Sequence, residues 1–228
     1  MTAPARLVLF DVDGTLVDSQ ASIVAAMRAA FAALSVPAPE RAAILAIVGL
    51  SLDHAIARLV PDAPRGRQAA LVAAYKEAFH AARLTPEARA ASPLYDGARA
   101  VLDDLAGRPG LVLGVATGKS RRGLEALIEM HGLAGLFATV QVADDHPSKP
   151  HPSMVLAAMA ETGTAPARAV MIGDTSFDMQ MAAAAGVPGI GVGWGYHPPE
   201  ALRAHGARLI DSFAELPAAL AALWEVPA

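Results

Sequence analysis

The sequence predicts an α/β protein, built as a doubly wound parallel sheet with one all-helical insertion. Two observations lead to this prediction. Short apolar runs bounded by Gly, Pro or Asp alternate with longer Ala-rich stretches, which is typical of a parallel sheet covered by helices on both faces. One long segment, 18–92, breaks this alternation because it contains no convincing strand.

The alternating part of the chain predicts five strands and the helices between them. The strand candidates are short apolar runs at 7–10, 111–116, 139–143, 169–173 and 189–193. The helix candidates are Ala-rich stretches at 97–107, 120–131, 152–162, 176–185 and 213–224. In a Rossmann-like core of this kind, ligands bind outside the carboxyl ends of the strands.

The segment 18–92, which we call the helical insertion, predicts a second, smaller domain. It contains four helical blocks, punctuated by prolines, at 19–34, 40–47, 51–60 and 66–83. The predicted division is therefore a core domain of residues 1–17 and 93–228 with a cap domain of residues 18–92. Because the insertion leaves the sheet at a carboxyl strand end, we expect it to cover the ligand site.

The composition excludes several classes of function. The 228 residues carry 18 basic and 22 acidic side chains, a net charge of −4, which argues against nucleic acid as a partner. The chain has no cysteine, so disulfides and thiolate chemistry are excluded. No apolar run approaches the ~18 residues of a membrane helix, and Leu7–Phe10 is too short for a signal-peptide core. We therefore expect a cytoplasmic protein with no membrane partner.

An acidic motif, Asp11-Val12-Asp13-Gly14-Thr15, directly follows the first strand candidate. Alternate side chains of an extended chain point the same way, so Asp11 and Asp13 are expected to share one side of the strand end. Two carboxylates this close repel each other, so either one of them is protonated or a cation such as Mg²⁺ compensates their charge. The alternative is a simple turn after a strand.

A second acidic pair, Asp174 and Asp178, follows the fourth strand candidate. Asp174 lies at the predicted strand end, and Asp178 comes one helical turn later. Carboxylate oxygens are ligands that Mg²⁺ prefers. The alternative interpretation is that Asp174 only caps the next helix.

Two further strand ends carry groups suited to an anion. Thr117-Gly118 follows the second strand candidate, where a hydroxyl and free backbone N–H groups can bind phosphate. Lys149 follows the third and can neutralise both a phosphate and the acidic cluster. All four strand ends are expected to meet at one edge of the parallel sheet.

Together these four motifs resemble those of the haloacid dehalogenase-like hydrolase superfamily. The resemblance covers nearly the whole chain and is to the phosphoglycolate-phosphatase-like branch with a helical cap. Gly49-Leu50-Ser51 resembles the substrate-facing loop of that cap, and these residues are candidates for substrate specificity. Leu94-Tyr95-Asp96-Gly97 resembles the return from cap to core, and Trp194-Gly195-Tyr196-His197 resembles a loop common in the branch.

The resemblance implies a role for each catalytic position. Asp11 would be the nucleophile that forms an aspartyl-phosphate. Asp13 would protonate the leaving alkoxide and then activate water. Thr117 and the Gly118 backbone would hold phosphate oxygens, and Lys149 would stabilise the nucleophile and the phosphate.

The resemblance also implies a Mg²⁺ cofactor. Asp11, the Asp13 carbonyl and Asp174 would be its ligands, and Asp178 would orient that cluster without contacting the metal.

The resulting prediction is a Mg²⁺-dependent phosphomonoester hydrolase acting on a small soluble phosphorylated metabolite, with phosphoglycolate as the candidate that the family suggests. The alternatives are a sugar-phosphate mutase, a 2-haloacid dehalogenase and a non-catalytic phosphate-binding protein. The dehalogenase branch typically lacks the second acid of the first motif, which Asp13 supplies here. The sequence gives no indication of the oligomeric state.

Overall fold

The computed structural model describes residues 5–83 and 92–224. Its described residues form one six-stranded sheet in the order β3-β2-β1-β4-β5-β6, in which every neighbouring pair is parallel. The strands are β1 (Arg6–Phe10), β2 (Leu111–Thr117), β3 (Thr139–Val142), β4 (Ala169–Gly173), β5 (Gly189–Val192) and β6 (Arg208–Ile210). The chain order reverses beside β1, which is the position where doubly wound sheets bind ligands.

The helices fall into two groups along the chain. The helical insertion contains α1 (Gln20–Ala33), α2 (Arg41–Leu45), α3 (Leu52–Leu59) and α4 (Arg65–Arg83). The remaining helices are α5 (Ala98–Ala106), α6 (Arg121–Met130), α7 (Ser153–Thr162), α8 (Ser176–Ala184), α9 (Pro199–Arg203) and α10 (Leu216–Trp224).

The sheet is covered on both faces, as near-continuous apolar strands require. Val8 and Phe10 of β1 point into one buried cluster, with apolar residues of α5, α6 and α10. Leu7 and Leu9 point into the opposite cluster, with α7 and α8. The predicted doubly wound α/β core is therefore confirmed.

Two short elements were missed by the sequence-based prediction. The strand β6 has three residues and lies at the edge of the sheet. The helix α9 has five residues, begins at a proline and follows another proline. Elements this short carry too few periods of hydrophobic alternation to be recognised.

The helical insertion has a hydrophobic cluster of its own. Met27 and Phe31 of α1, Ile56 of α3 and Leu71 of α4 are its buried centre. Phe177, from the start of α8, joins the same cluster and so links the insertion to the sheet domain. The domain boundaries at 17/18 and 92/93 stay a prediction.

The two segments that connect the insertion to the sheet lie side by side. Asp18 N–H donates to the Pro93 carbonyl at 2.9 Å, and Tyr95 N–H donates to the Leu16 carbonyl at 3.0 Å. These bonds hold the entry and the exit of the insertion together at the end of β1.

Within 5–83 and 92–224, no helix has both the length and the apolar character needed to cross a membrane.

Candidate active site

The strand β1 delivers two carboxylates to the sheet edge. Asp11 follows the strand directly, and its backbone N–H continues the ladder by donating to the Ile172 carbonyl at 2.9 Å. Val12 turns into the hydrophobic core, whereas Asp11 and Asp13 both line one cavity. The side-chain alternation expected from the sequence is the arrangement found.

Asp11 is buried, and the Lys149 ammonium is its ion-pair partner. The Lys149 Nζ lies 2.9 Å from its Oδ1, but neither carboxylate oxygen has a hydrogen bond of good geometry to a described residue. Burial raises the pKa of Asp11 to about 7 against the lowering effect of Lys149. A buried polar atom without a partner indicates a ligand position.

Lys149 is completely buried between two carboxylates. Its Nζ donates to Asp178 Oδ1 at 2.6 Å and lies beside Asp11. Burial opposes the charged form, but Asp11 and Asp178 outweigh it and raise the pKa of Lys149. The lysine therefore carries its positive charge at the floor of the site.

Asp178 is fixed by the start of α8. Its Oδ2 accepts hydrogen bonds from the Thr175 hydroxyl at 2.7 Å and the Thr175 N–H at 3.1 Å, in a reciprocal capping box. Thr175, and not Asp174, is the N-cap residue, so the alternative interpretation of Asp174 as a helix cap is wrong.

Asp174 faces the cluster from the end of β4. Its oxygens accept hydrogen bonds from the Thr15 hydroxyl and the Tyr196 N–H, both at 2.8 Å. Gly14, with φ of +88°, packs against this carboxylate so closely that a Cβ there would collide with it. Thr15 and Gly14 belong to the first motif, which therefore orients the carboxylate of the second.

The acidic cluster fits a magnesium ion. Asp11, Asp174 and Asp178 each place a carboxylate oxygen within 4.8 Å of the others. Burial, together with the charges of Asp11 and Asp178, raises the pKa of Asp174 well above its usual value. A divalent cation would offset this crowding, and the donors are hard oxygens.

Asp13 is held by residues that the sequence analysis did not assign to the site. Lys119 Nζ lies 2.8 Å from Asp13 Oδ2, and the Ser19 hydroxyl donates to Oδ1 at 2.6 Å. The Tyr196 hydroxyl lies 3.0 Å from the Ser19 hydroxyl. Lys119 next to the Thr-Gly motif and Tyr196 in its aromatic loop were visible in the sequence, but Ser19 carries no local signal.

The phosphate-binding candidates Thr117 and Gly118 line the same cavity as Asp11. Thr117 is buried at the end of β2, and Gly118 follows it against the helical insertion. A Cβ on Gly118 would lie only 2.5 Å from the Gly49 carbonyl oxygen. The Ser51 N–H donates to the Ser148 hydroxyl at 2.9 Å, so the 49–51 loop contacts the sheet domain on two sides.

A cavity of about 400 Å³ lies between the insertion and the sheet edge. The predicted residues that line it are Asp11, Asp13, Gly49, Leu50, Ser51, Thr117 and Gly118. Lys149, Asp174 and Asp178 do not line the cavity themselves, but Lys149 contacts Asp11 and both aspartates lie in one cluster with it. The structure thus brings the predicted residues of all four strand ends and the 49–51 loop to one place.

Comparison with known proteins assigns the chain to a family. The family model described as haloacid dehalogenase-like hydrolase matches residues 8–192, which include every strand-end motif described above. The chain belongs to the haloacid dehalogenase-like hydrolase family.

The names of two relatives of this hydrolase agree with that assignment. A probable phosphatase, IndB, from Dickeya dadantii is 39% identical over 221 residues, 95% of this chain and 94% of the relative. A phosphoglycolate phosphatase from Yersinia pseudotuberculosis is 33% identical over 214 residues, 92% of this chain and 91% of the relative. The predicted phosphatase and its resemblance to the phosphoglycolate-phosphatase-like branch are confirmed.

Solved structures share the fold. The crystal structure of a predicted phosphatase from Clostridium acetobutylicum is 25% identical, with a TM-score of 0.83. The match covers 96% of this hydrolase and 99% of that chain, so it extends over the insertion as well as the sheet.

Proposed function

We propose that this hydrolase is a Mg²⁺-dependent phosphomonoesterase that acts on a small soluble ester through an aspartyl-phosphate on Asp11. One observation carries the proposal. The Asp11 carboxylate is buried at the floor of the cavity, beside the charged Lys149, with no satisfactory hydrogen bond from the described residues. A carboxylate that is paired with a cation at one oxygen, and whose other oxygen has no partner among the described residues, is suited to attack a bound phosphorus atom.

The proposed reaction has two steps. In the first, a carboxylate oxygen of Asp11 attacks phosphorus, the bond to the ester oxygen breaks, and Asp13 donates a proton to that oxygen. In the second, Asp13 accepts a proton from water, whose oxygen attacks the same phosphorus. Inorganic phosphate leaves and the Asp11 carboxylate is restored. The position of Asp13 two residues along the same strand end, facing the same cavity, supports this division.

Three further groups would bind the phosphoryl oxygens. We assign this role to the Thr117 hydroxyl, the Gly118 N–H and the Lys149 ammonium. Phosphoryl transfer depends mainly on positioning and charge neutralisation, which these groups supply. The burial of Thr117 and Lys149 strengthens their electrostatic effect.

The proposed ligands of Mg²⁺ are the Asp11 and Asp174 carboxylates and the Asp13 backbone carbonyl. Asp178, held by Lys149 and Thr175, would orient the cluster. The bound ion would supply positive charge that neutralises the phosphoryl group as it transfers.

The helical insertion is the proposed cap domain, residues 18–92, on a core of residues 1–17 and 93–228. Its 49–51 loop is the proposed contact with the leaving group, supported by the close approach of Gly49 to Gly118. A cap in this position would exclude bulk water while the first step takes place. The expected cytoplasmic location stays a prediction.

Phosphoglycolate is one candidate substrate, because a relative that carries that activity in its name is 33% identical to this chain. The name describes the relative, so the ester has to be measured for this hydrolase.

The proposal is tested by phosphate release from a panel of esters with Mg²⁺ and with EDTA. The panel contains phosphoglycolate, ethyl phosphate, sugar phosphates and nucleotides. We expect metal-dependent release that Asp11→Asn abolishes. Asp62→Asn is the matched control because Asp62 is exposed on a loop of the insertion. Metal-dependent release by Asp11→Asn at the wild-type rate would refute the assigned nucleophile.

Separate assays run beside this panel distinguish the alternative functions. A mutase would convert a sugar phosphate to its isomer without net phosphate release. A dehalogenase would release halide from a 2-haloacid without Mg²⁺. A binding protein would bind inorganic phosphate and turn over no ester.

A further inference from the structure

The cavity has an apolar wall on the side that faces away from the phosphate site. The buried side chains that the helical insertion contributes to this wall are aliphatic: Ile23, Met27, Ile47, Val48, Leu50 and Ala55. The charged and imidazole side chains among its lining residues from the insertion, Asp53, Lys76 and His80, are exposed. The wall that the insertion contributes is therefore apolar where it is buried and polar where it is exposed.

An aromatic pair completes this wall next to the proposed general acid. Tyr75 and Phe79, one turn apart on α4, stack with ring centroids 5.7 Å apart and an interplanar angle of 18°. The Lys119 Nζ that contacts Asp13 also lies 5.1 Å from the Phe79 ring centroid. The aromatic pair therefore lies beside the point at which the leaving alcohol would depart.

Among the described residues, three cations line the cavity, Lys76, Lys119 and Arg122, and Lys76 is exposed to solvent rather than directed into the apolar wall by burial. Lys119 is paired with Asp13, and Arg122 is exposed and contacts His80 at 2.8 Å. A carboxylate on a two-carbon leaving group would face aliphatic and aromatic side chains. Burying a charge without a partner is strongly unfavourable.

The cavity is also larger than a two-carbon leaving group with a carboxylate would fill. Its volume of about 400 Å³ lies within the range of about 300–1,000 Å³ that is typical of pockets for drug-sized ligands. Aromatic side chains bind planar rings by offset or edge-to-face stacking.

We propose that the natural ester carries an aromatic or heteroaromatic ring on its alcohol, and that Tyr75 and Phe79 are specificity-determining residues for that ring. This inference rests on the proposed phosphatase function and concerns the leaving group of that same site. The ring packs against the aromatic pair and the aliphatic wall, and the phosphate reaches Asp11 past Asp13.

The inference is tested with three alkyl monophosphates that differ only in the alcohol. These are 2-phenylethyl phosphate, ethyl phosphate and phosphoglycolate, measured as kcat/KM with Mg²⁺. We expect kcat/KM for 2-phenylethyl phosphate to exceed that for each of the others at least about tenfold, because one buried aromatic group is gained.

Variants of the aromatic wall supply the second measurement. In Phe79→Leu and Phe79→Ala the ratio of kcat/KM for 2-phenylethyl to ethyl phosphate should fall toward one, with the larger fall for alanine. Leu156→Ala, which truncates an exposed leucine on α7, should keep the wild-type ratio. A ratio serves here because it is independent of the fraction of folded enzyme.

The outcomes separate the two proposals. Three results would overturn the inference and leave the phosphatase proposal standing. They are equal kcat/KM for 2-phenylethyl and ethyl phosphate, a preference for phosphoglycolate, and an unchanged ratio in both Phe79 variants. Failure to release phosphate from any ester overturns the proposed function and the inference with it.

Discussion

The Lys119 ammonium lies 2.8 Å from Oδ2 of Asp13, and the two side chains are only 10% and 12% exposed. Lys119 belongs to the loop after β2, whereas Asp13 belongs to the loop after β1. The contact therefore ties the proposed general acid to the strand end that carries the phosphate-binding candidates. Ser19 fixes the other oxygen of Asp13 from the start of the insertion.

Lys119→Gln removes this contact and should lower kcat/KM by roughly 10- to 100-fold, because a slightly misplaced general acid transfers its proton poorly. Steady-state kinetics on ethyl phosphate measures the effect. Arg121→Gln is the control, since Arg121 is exposed and pairs with Asp145 at the surface. Equal losses in the two variants would contradict a specific role for Lys119.

Ser19→Ala and Tyr196→Phe should both lower kcat, and their effects should not add. Tyr196 lies 3.0 Å from the Ser19 hydroxyl, and Ser19 in turn donates to Asp13. Once Ser19 is truncated, Tyr196 no longer acts on Asp13 through it. A double-mutant cycle on kcat measures the coupling. Additive losses would show that Tyr196 does not act on Asp13 through Ser19.

Mg²⁺ should stabilise the folded protein, by about 2.7 kcal/mol at a concentration 100 times its Kd, since the ion binds the native cluster and not the unfolded chain. Urea unfolding with Mg²⁺ and with EDTA measures the difference. Asp174→Asn should reduce it strongly, whereas Asp62→Asn should keep it. A full Mg²⁺ effect in Asp174→Asn would exclude Asp174 as a ligand.

Gly118→Ala should reduce kcat/KM by about tenfold or more, because the new methyl group would meet the backbone oxygens of Gly49 and Leu50 at 2.5 and 2.7 Å. The loop or the insertion would have to move away from the site. Gly66→Ala is the control, as nothing lies within 4 Å of its added carbon at the start of α4. Wild-type kinetics in Gly118→Ala would show that the 49–51 loop does not need to approach Gly118.

The sequence predicted the sheet and the strand-end motifs because both are local patterns. The runs Leu7–Phe10 and Ala169–Gly173 are apolar throughout and end in carboxylates, so the strand and the functional residue beyond it are visible together. A similar local pattern marks the start of α6, where Ser120 precedes the helix and its hydroxyl accepts the Gly123 N–H at 3.2 Å. Such signals require only a few neighbouring residues.

The parts that were missed depend on distant contacts. Ser19 and Tyr196 are 177 positions apart, and nothing near either residue indicates that they share a hydrogen bond. Tyr75 and Phe79 have the helical spacing of a buried face, but only the packed structure shows that this face borders a cavity. The residues of each strand-end motif could be predicted from the sequence. The contacts around Asp13 and around the leaving group could be found only from the three-dimensional structure.

The central claim is that phosphate is transferred to Asp11, and the most direct test is to trap that intermediate. The enzyme is quenched in acid during turnover of ethyl phosphate with Mg²⁺, treated with borohydride, digested and analysed by mass spectrometry. Reduction of an acyl phosphate converts the aspartate to homoserine, so the account predicts homoserine at position 11 and unchanged aspartate at 13 and 174. Steady phosphate release with no reduced residue at position 11, or with the reduction at another carboxylate, would contradict it.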